Sequence, residues 1–309
     1  MSSKIICTIF TFLISCNFLA HAHDSKQKVV LITGASQGIG LVVAKKLALD
    51  GYYVYGTIRT TSDVRQFQQA VHECSGNLTP VVLDVTNEQS IAHAVQKIIE
   101  EARSIDILIN NACEVFVGTC ETCTLEEQQR TMDVNYFGVV RMLQAVLPHM
   151  RKQHHGHVIN ISSVSGFESF PIIETYAASK FALEGLSASL AIYLHNWNIK
   201  VTLIEPAGVK TNVAFTSPKG SRWSDDTQCF KTFCEVGHQG MKDSFDHCQD
   251  PNEIAELIVT ILKDPNPCLR YQPNAISQEM AQQIFKDSTG QNALLAKRKK
   301  LQKMLELLS

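Results

Sequence analysis

The chain has 309 residues, 45% of them hydrophobic and 19% charged, with a formal net charge of −2. That composition suits one globular domain with a full core, and no internal repeat or low-complexity linker divides it. A balance so near neutral argues against nucleic acid as a main partner.

In chain order, residues 5–20 are almost wholly apolar or small and carry no charge; Lys4 precedes them, and Ala20-His21-Ala22 fits a small-x-small cleavage site. Residues 1–22 read as a secretory signal peptide or a membrane anchor. Leu13-Ile14-Ser15-Cys16 also fits a lipoprotein box. The expected location is therefore the secretory pathway or periplasm, with membrane association through the N-terminus. The alternative is the cytoplasm.

Next come an apolar strand, Val29–Thr33, and the turn Gly34-Ala-Ser-Gln-Gly38-Ile-Gly40. Residues 41–49 then carry apolar residues at helical spacing. A strand, a glycine-rich turn and a helix are the setting of a dinucleotide site. Gly34 permits the tight turn, Gly38 lets the backbone approach a pyrophosphate, and Gly40 lets helix and strand pack closely. Further strands are predicted at Tyr53–Ile58, Pro80–Leu83, Ile107–Ile109, His157–Ile161, Lys200–Ile204 and Cys268–Tyr271. Helices are predicted near 39–50, 63–74, 88–103, 125–151, 175–197 and 252–263. The alternation predicts an α/β fold: a Rossmann-type, doubly wound, seven-stranded parallel sheet with helices on both faces, in one domain over 28–294. Ligands of such sheets lie beyond the C-terminal strand ends, where Gly34, Arg59, Asp84, Asn110, Ser163 and Pro206 fall.

Residues 216–248 lose clear periodicity and read as a substrate loop or lid. Trp223, Phe230, Phe233, Met241 and Phe245 suit either an apolar wall or ordinary packing. Residues 295–309 form a basic amphipathic tail, Lys297-Arg-Lys-Lys300 followed by leucines, which reads as a solvated helix end or a membrane-surface contact. Among ten cysteines, Cys120 and Cys123 are spaced as a redox pair or half a metal site, or are two loop thiols. No second pair of zinc spacing accompanies them, so no metal site is predicted.

Tyr176 and Lys180 sit four residues apart in a helical stretch and so share a face. A free phenol titrates near ~10, and an adjacent ammonium favours the phenolate, moving that value toward working pH. Arg59 ends the second strand, where an acidic residue would bind the ribose hydroxyls of NAD; a guanidinium instead suits a 2′-phosphate. NADP(H) is the expected cofactor, with NAD(H) as the alternative.

Thr33-Gly34-x-x-x-Gly38-x-Gly40, Asn110-Asn111-Ala112, Asn135, Ser163, Tyr176 and Lys180 resemble the short-chain dehydrogenase/reductase pattern in order and spacing. Residues 133–145 and 176–186, with Pro251-Asn-Glu-Ile-Ala-Glu and Pro267-Cys-Leu-Arg-Tyr, are similar to the branch of estradiol 17β-dehydrogenase and photoreceptor-type retinol dehydrogenase. The resemblance implies a catalytic set. Tyr176 acts as general acid or base, Lys180 lowers its pKa and binds the nicotinamide ribose, and Ser163 holds the substrate oxygen. Asn135 would hold a water linking Lys180 to solvent. It also implies cofactor contacts from Thr33, Ser36, Ile39 and the three glycines, and from Arg59. Asp84 and Val85 would contact the adenine, and Asn111 and Ala112 would line the path to the nicotinamide. Pro206, Gly208 and Thr211 would close over the carboxamide and pyrophosphate. Cys113 stands where the family usually has Gly. The implied reaction is NADP(H)-dependent interconversion of a hydrophobic ketone or aldehyde (steroid, retinoid or similar) and its alcohol, in a homodimer. An NAD-dependent alcohol dehydrogenase and a noncatalytic NADP(H)-binding sensor or scaffold are the alternatives.

Overall fold

The computed structural model describes residues 27–286 apart from 75–76, 213–216, 223, 225–226 and 244. The leader, the basic tail and Trp223 lie outside the described residues. Seven strands form one parallel sheet in the order β3-β2-β1-β4-β5-β6-β7. They are β1 Val29–Ile32, β2 Tyr53–Ile58, β3 Leu78–Val82, β4 Ile107–Asn110, β5 Gly156–Ile161, β6 Ile199–Ile204 and β7 Arg270–Tyr271. The chain reverses its winding between β1 and β4. There the crevice beyond the strand ends opens, and it receives Gly34 from one strand and Asn111 from the other.

Successive residues of a strand face opposite sides, and β1 shows what each side meets. Val29 and Leu31 pack among Ile98, Met142 and Leu183, from α3 Glu88–Ala102, α5 Gly138–Gln153 and α6 Glu174–Leu194. Val30 and Ile32 pack among Val43, Leu47 and Ile258, from α1 Gly38–Leu49 and α8 Pro251–Lys263. All four β1 residues are fully buried, which is why the strand reads as an unbroken apolar run. Helix starts carry their own signals. Asn87 caps α3 by accepting from the Ser90 N–H, and Thr124 and Glu127 form a capping box at α4 Leu125–Met132. Asp250 precedes Pro251 at the start of α8.

Three departures from the sequence reading matter. The predicted helix 125–151 is two helices, α4 and α5, joined by a π-turn at Asp133–Phe137. Helix α2, Asp63–Ala70, stops short of the predicted 74, and a separate 3-10 turn follows at His72–Cys74. The region expected as a loop contains α7 Cys229–Asp243, and α9 Ala275–Lys286 follows β7. Phe230 and Phe233 of α7 pack with Cys234 against Val117 and Ile172, so these two aromatics do ordinary packing work. Phe245 lies in a 3-10 turn after α7, and the side chain of Met241 is outside the described set. Cys120 and Cys123 carry free thiols, the first exposed and the second buried. No helix among the described residues is long and apolar enough to cross a membrane.

His157 lies inside β5, 2.9 Å through Nε2 from the Thr202 hydroxyl of β6. Burial, helped by Lys200 and Lys28, lowers its pKa from 6.5 to about 3. The unfolded chain binds this proton from pH 6.5 downward and the folded chain does not. Its contribution to stability is thus complete above pH 6.5 and declines as the medium is acidified toward about 3. His157→Gln is expected to flatten the acid limb of urea-unfolding free energy by up to ~1.4 kcal/mol per pH unit in that window.

Candidate active site

The glycine turn is held from two sides. Gly34 and Gly38 have φ of +67° and +58°, which a side chain disfavours. The Thr33 hydroxyl accepts from the backbone N–H groups of Asn111 (2.9 Å) and Ala112 (3.0 Å). In return the Asn111 amide donates to the carbonyls of Thr33 (2.9 Å) and Gly34 (3.0 Å). A Cβ on Gly40 would collide with the Gly34 carbonyl oxygen and lie 2.5 Å from the Asn111 amide nitrogen. No side chain caps the start of α1, which leaves first-turn N–H groups for an anionic ligand.

A cleft of about 600 Å³ opens over this turn. Of the residues singled out from sequence, Gly34, Ser36, Gly38, Ile39, Arg59, Asp84, Val85, Asn111, Ala112, Lys180, Pro206 and Thr211 line it. Thr33 and Gly40 lie behind the wall and shape it, and Gly208 packs against Cys248, whose sulfur would be 2.7 Å from an added Cβ. The cradle fits a nicotinamide dinucleotide: glycines with uncapped first-turn N–H groups, the Arg59 guanidinium past β2 and the Lys180 ammonium all line it, whereas Ser163 and Tyr176 are not among its lining residues. Asp84 accepts two hydrogen bonds from Thr86 through Oδ1. Burial raises its carboxyl; the Thr86 bonds and the nearby Arg59 and Arg130 outweigh that and hold it below the usual value.

Beside Lys180, the Ser163 hydroxyl lies within reach of the Tyr176 hydroxyl, and the Lys180 ammonium lies 5.6 Å from the centre of the Tyr176 ring. The expected lowering of the phenol by Lys180 is not what the geometry gives. Burial of the hydroxyl pushes the phenol well above its ordinary value, Cys113 adds to this, and only Ser163 opposes it. Lys180 donates instead to the Ile161 carbonyl at 2.8 Å. Asn135 is a clamp on the loop after β4. Its amide accepts from the Glu114 N–H and donates to the Glu114 carbonyl, both at 2.8 Å, and to the Ser179 hydroxyl at 3.0 Å. The side chain thus ties the loop after β4 to α6.

Among the wall residues not singled out from sequence are Arg130 and Glu114. Arg130 pairs with Glu114 at 2.9 Å at the rim, and Ser162 presents a buried hydroxyl with no hydrogen-bond partner. Arg130 and Glu114 are sixteen positions apart with no shared motif.

A doubly wound parallel sheet with a glycine turn at its crevice and a serine–tyrosine–lysine set beside it defines a nicotinamide-dependent oxidoreductase. The short chain dehydrogenase family model matches residues 28–221, and the chain belongs to that family. It is an NAD(P)-dependent oxidoreductase acting on CH–OH groups, of the estradiol and retinol dehydrogenase branch. Estradiol 17-beta-dehydrogenase 1 of Rattus norvegicus is 39% identical over 254 residues, 79% of this chain and 72% of that protein. Retinol dehydrogenase 8 of Homo sapiens is 35% identical over 283 residues, 85% of this chain and 86% of that protein. The 3-ketodihydrosphingosine reductase of Bacteroides thetaiotaomicron is 44% identical over 184 residues; the match takes 60% of this chain and spans 65% of that protein's length.

Gly40→Ala is expected to destabilise the fold by ~1–3 kcal/mol through overpacking. Dinucleotide affinity should fall at least about tenfold, a displacement of the turn worth ~1.4 kcal/mol; urea unfolding checks the stability and calorimetric titration the affinity.

Proposed function

We propose that the chain is an NADP(H)-dependent reductase of hydrophobic ketones or aldehydes, with Tyr176 as general acid. The observation that carries this is the Tyr176 hydroxyl, desolvated by its surroundings, within reach of Ser163 and one helical turn from Lys180, which lines the cleft. A phenol raised by burial keeps its proton at neutral pH, so in the reducing direction it is poised to donate to an oxygen that gains charge. The bound cofactor supplies the hydride. Ser163 holds the substrate oxygen within reach of Tyr176. Lys180 is one helical turn from Tyr176 and faces the cleft, where it would hold the nicotinamide ribose. Arg59, exposed at the end of β2, is placed for a 2′-phosphate.

Just past Ser163, buried Val164 and Phe167 pack with Ala281 of α9, and Phe170, Ala207, Met280 and Ile284 lie partly buried against them; support for an apolar substrate comes from the relatives. The three relatives named above act, by their names, on estradiol, retinol and a 3-keto sphingoid base, all largely apolar molecules. We also read the face of α6 bearing Ala178, Phe181, Gly185, Ser189 and Ile192 as the contact with a second copy. All five are exposed, and nothing lies within 4 Å of a Cβ placed on Gly185, so another helix can approach closely.

With residues 1–22 removed, turnover of apolar ketones and aldehydes is expected to be faster with NADPH than with NADH. Tyr176→Phe should lose at least about 100-fold in kcat while still binding NADPH, the size of a lost general acid. Arg59→Ala should weaken NADPH about 10- to 100-fold and leave NADH nearly unchanged, the worth of a hydrogen bond to a charged group. A preference for NADH in the wild type removes the Arg59 assignment and leaves the Tyr176 one standing.

A further inference from the structure

Beneath the turn that carries Ser163 lies a buried charge cluster with no place in the reaction described so far. Glu205, at the end of β6, is fully buried, and Glu184 of α6 is 7% exposed. Arg270 of β7 stands between them, its Nε 3.0 Å from Glu184 Oε2 and 3.2 Å from Glu205 Oε1. Gln272 donates to Glu205 Oε2, and Glu184 is within hydrogen-bonding reach of Glu205. Glu184 Oε1, Glu205 Oε1 and Ser162 Oγ have no hydrogen-bond partner among the described residues. Two carboxylates against one guanidinium leave one negative charge uncompensated, and an unpaired charge in a dry interior is costly. A proton between the two carboxyls removes that charge and supplies the missing donor.

The cluster grips Ser163 from two directions. From β6, the carbonyls of Ile204 and Pro206, either side of Glu205, accept from the N–H groups of Ser162 (2.8 Å) and Val164 (3.0 Å), either side of Ser163. From α6, Glu184 fills the underside of the same turn. A Cβ on Gly166 would lie 2.8 Å from Glu184 Cγ, 2.9 Å from Ser162 Oγ and 3.2 Å from Glu184 Oε1. Glu205 also donates its N–H to the Tyr271 carbonyl at 2.9 Å, which ties the brace to β7.

We propose that Glu184 and Glu205 share a single proton in the working protein, and that this proton holds the Ser163 turn in its reactive position. The second half rests on the role of Ser163 proposed above; the first does not. The groups that act on Glu205 are Glu184 from α6, Arg270 from β7 and Gln272 just beyond it. Lys180, one turn before Glu184 on α6, is turned to the Ile161 carbonyl. Burial, then Glu184, push the Glu205 carboxyl from 4.5 up to about 8. Because the folded value is raised, the brace is complete at low pH and is lost as pH rises through about 8. The proton goes to solvent, two adjacent carboxylates repel, and the turn shifts.

Glu205→Gln tests this, since an amide keeps an N–H toward Glu184 and an acceptor toward Gln272 at every pH. The infrared spectrum of the wild type should show an un-ionised carboxyl band at about pH 6.5 that is bleached at about pH 9 and is missing from Glu205→Gln. With NADPH saturating, wild-type kcat should fall about fivefold between pH 8 and 9, as the protonated fraction of a group titrating at about 8 drops from about a half to about a tenth. Glu205→Gln should vary less than about twofold there. A wild-type spectrum with no titrating band overturns the shared proton. A titrating band with the same kinetic fall in both proteins overturns its hold on Ser163. Should Glu205→Gln fail to fold, Glu184→Gln must remove the same band. Absence of turnover in the wild type would count against the proposed reaction, while the infrared comparison still decides the proton.

Discussion

The close approach of α1 to the end of β1 is the constraint on which the rest of this molecule depends. Gly40 has no room for a methyl group against the Gly34 carbonyl and the Asn111 amide, and that amide binds the carbonyls of Thr33 and Gly34. Thr33 in turn binds the first two N–H groups after β4. A glycine turn, a helix start and the loop beyond a neighbouring strand are thus one hydrogen-bonded knot at the point where the sheet reverses its winding. Nearly all of the cofactor cleft is measured from it. Asn135 extends the same logic: by clamping the backbone of Glu114, it fixes the far end of the β4 loop to the helix pair that faces Tyr176.

What could be read in the sequence was what local physics writes into consecutive residues. The apolar strands, the Gly34–Gly40 turn and the Tyr176–Lys180 spacing each declare themselves within a few positions, because one backbone conformation or one helix face demands them. Helix α7 stayed hidden because Gly237 and Gly240 lie inside it and its apolar residues pack against a small patch, Val117 and Ile172, rather than the main core. β7 is only two residues long, and the predicted strand Cys268–Tyr271 overran it by two positions at its start. Glu184, Glu205 and Arg270 meet from three separate elements, and nothing near any of them in the chain announces the others.

Electrostatics corrected the sequence reading more than topology did. A lysine one turn from a tyrosine suggests a lowered phenol pKa, yet desolvation of the hydroxyl outweighs it while Lys180 is drawn to a carbonyl. The same competition runs through Asp84, where hydrogen bonds and two arginines overcome burial, and through Glu205, where they do not. Spacing alone says that charges are neighbours; which way the balance falls depends on how much water remains.

The π-turn at Asp133–Phe137 has a consequence for anyone drawing a helical wheel through residues 125–151. A π-turn takes an additional residue to complete one revolution, so the faces of α4 and α5 do not continue each other. A projection drawn in phase with Leu125 assigns the residues after Phe137 to the wrong compass points. Surface redesign of this segment therefore has to treat it as two cylinders with independent azimuths, joined at a step that Asn135 keeps in place.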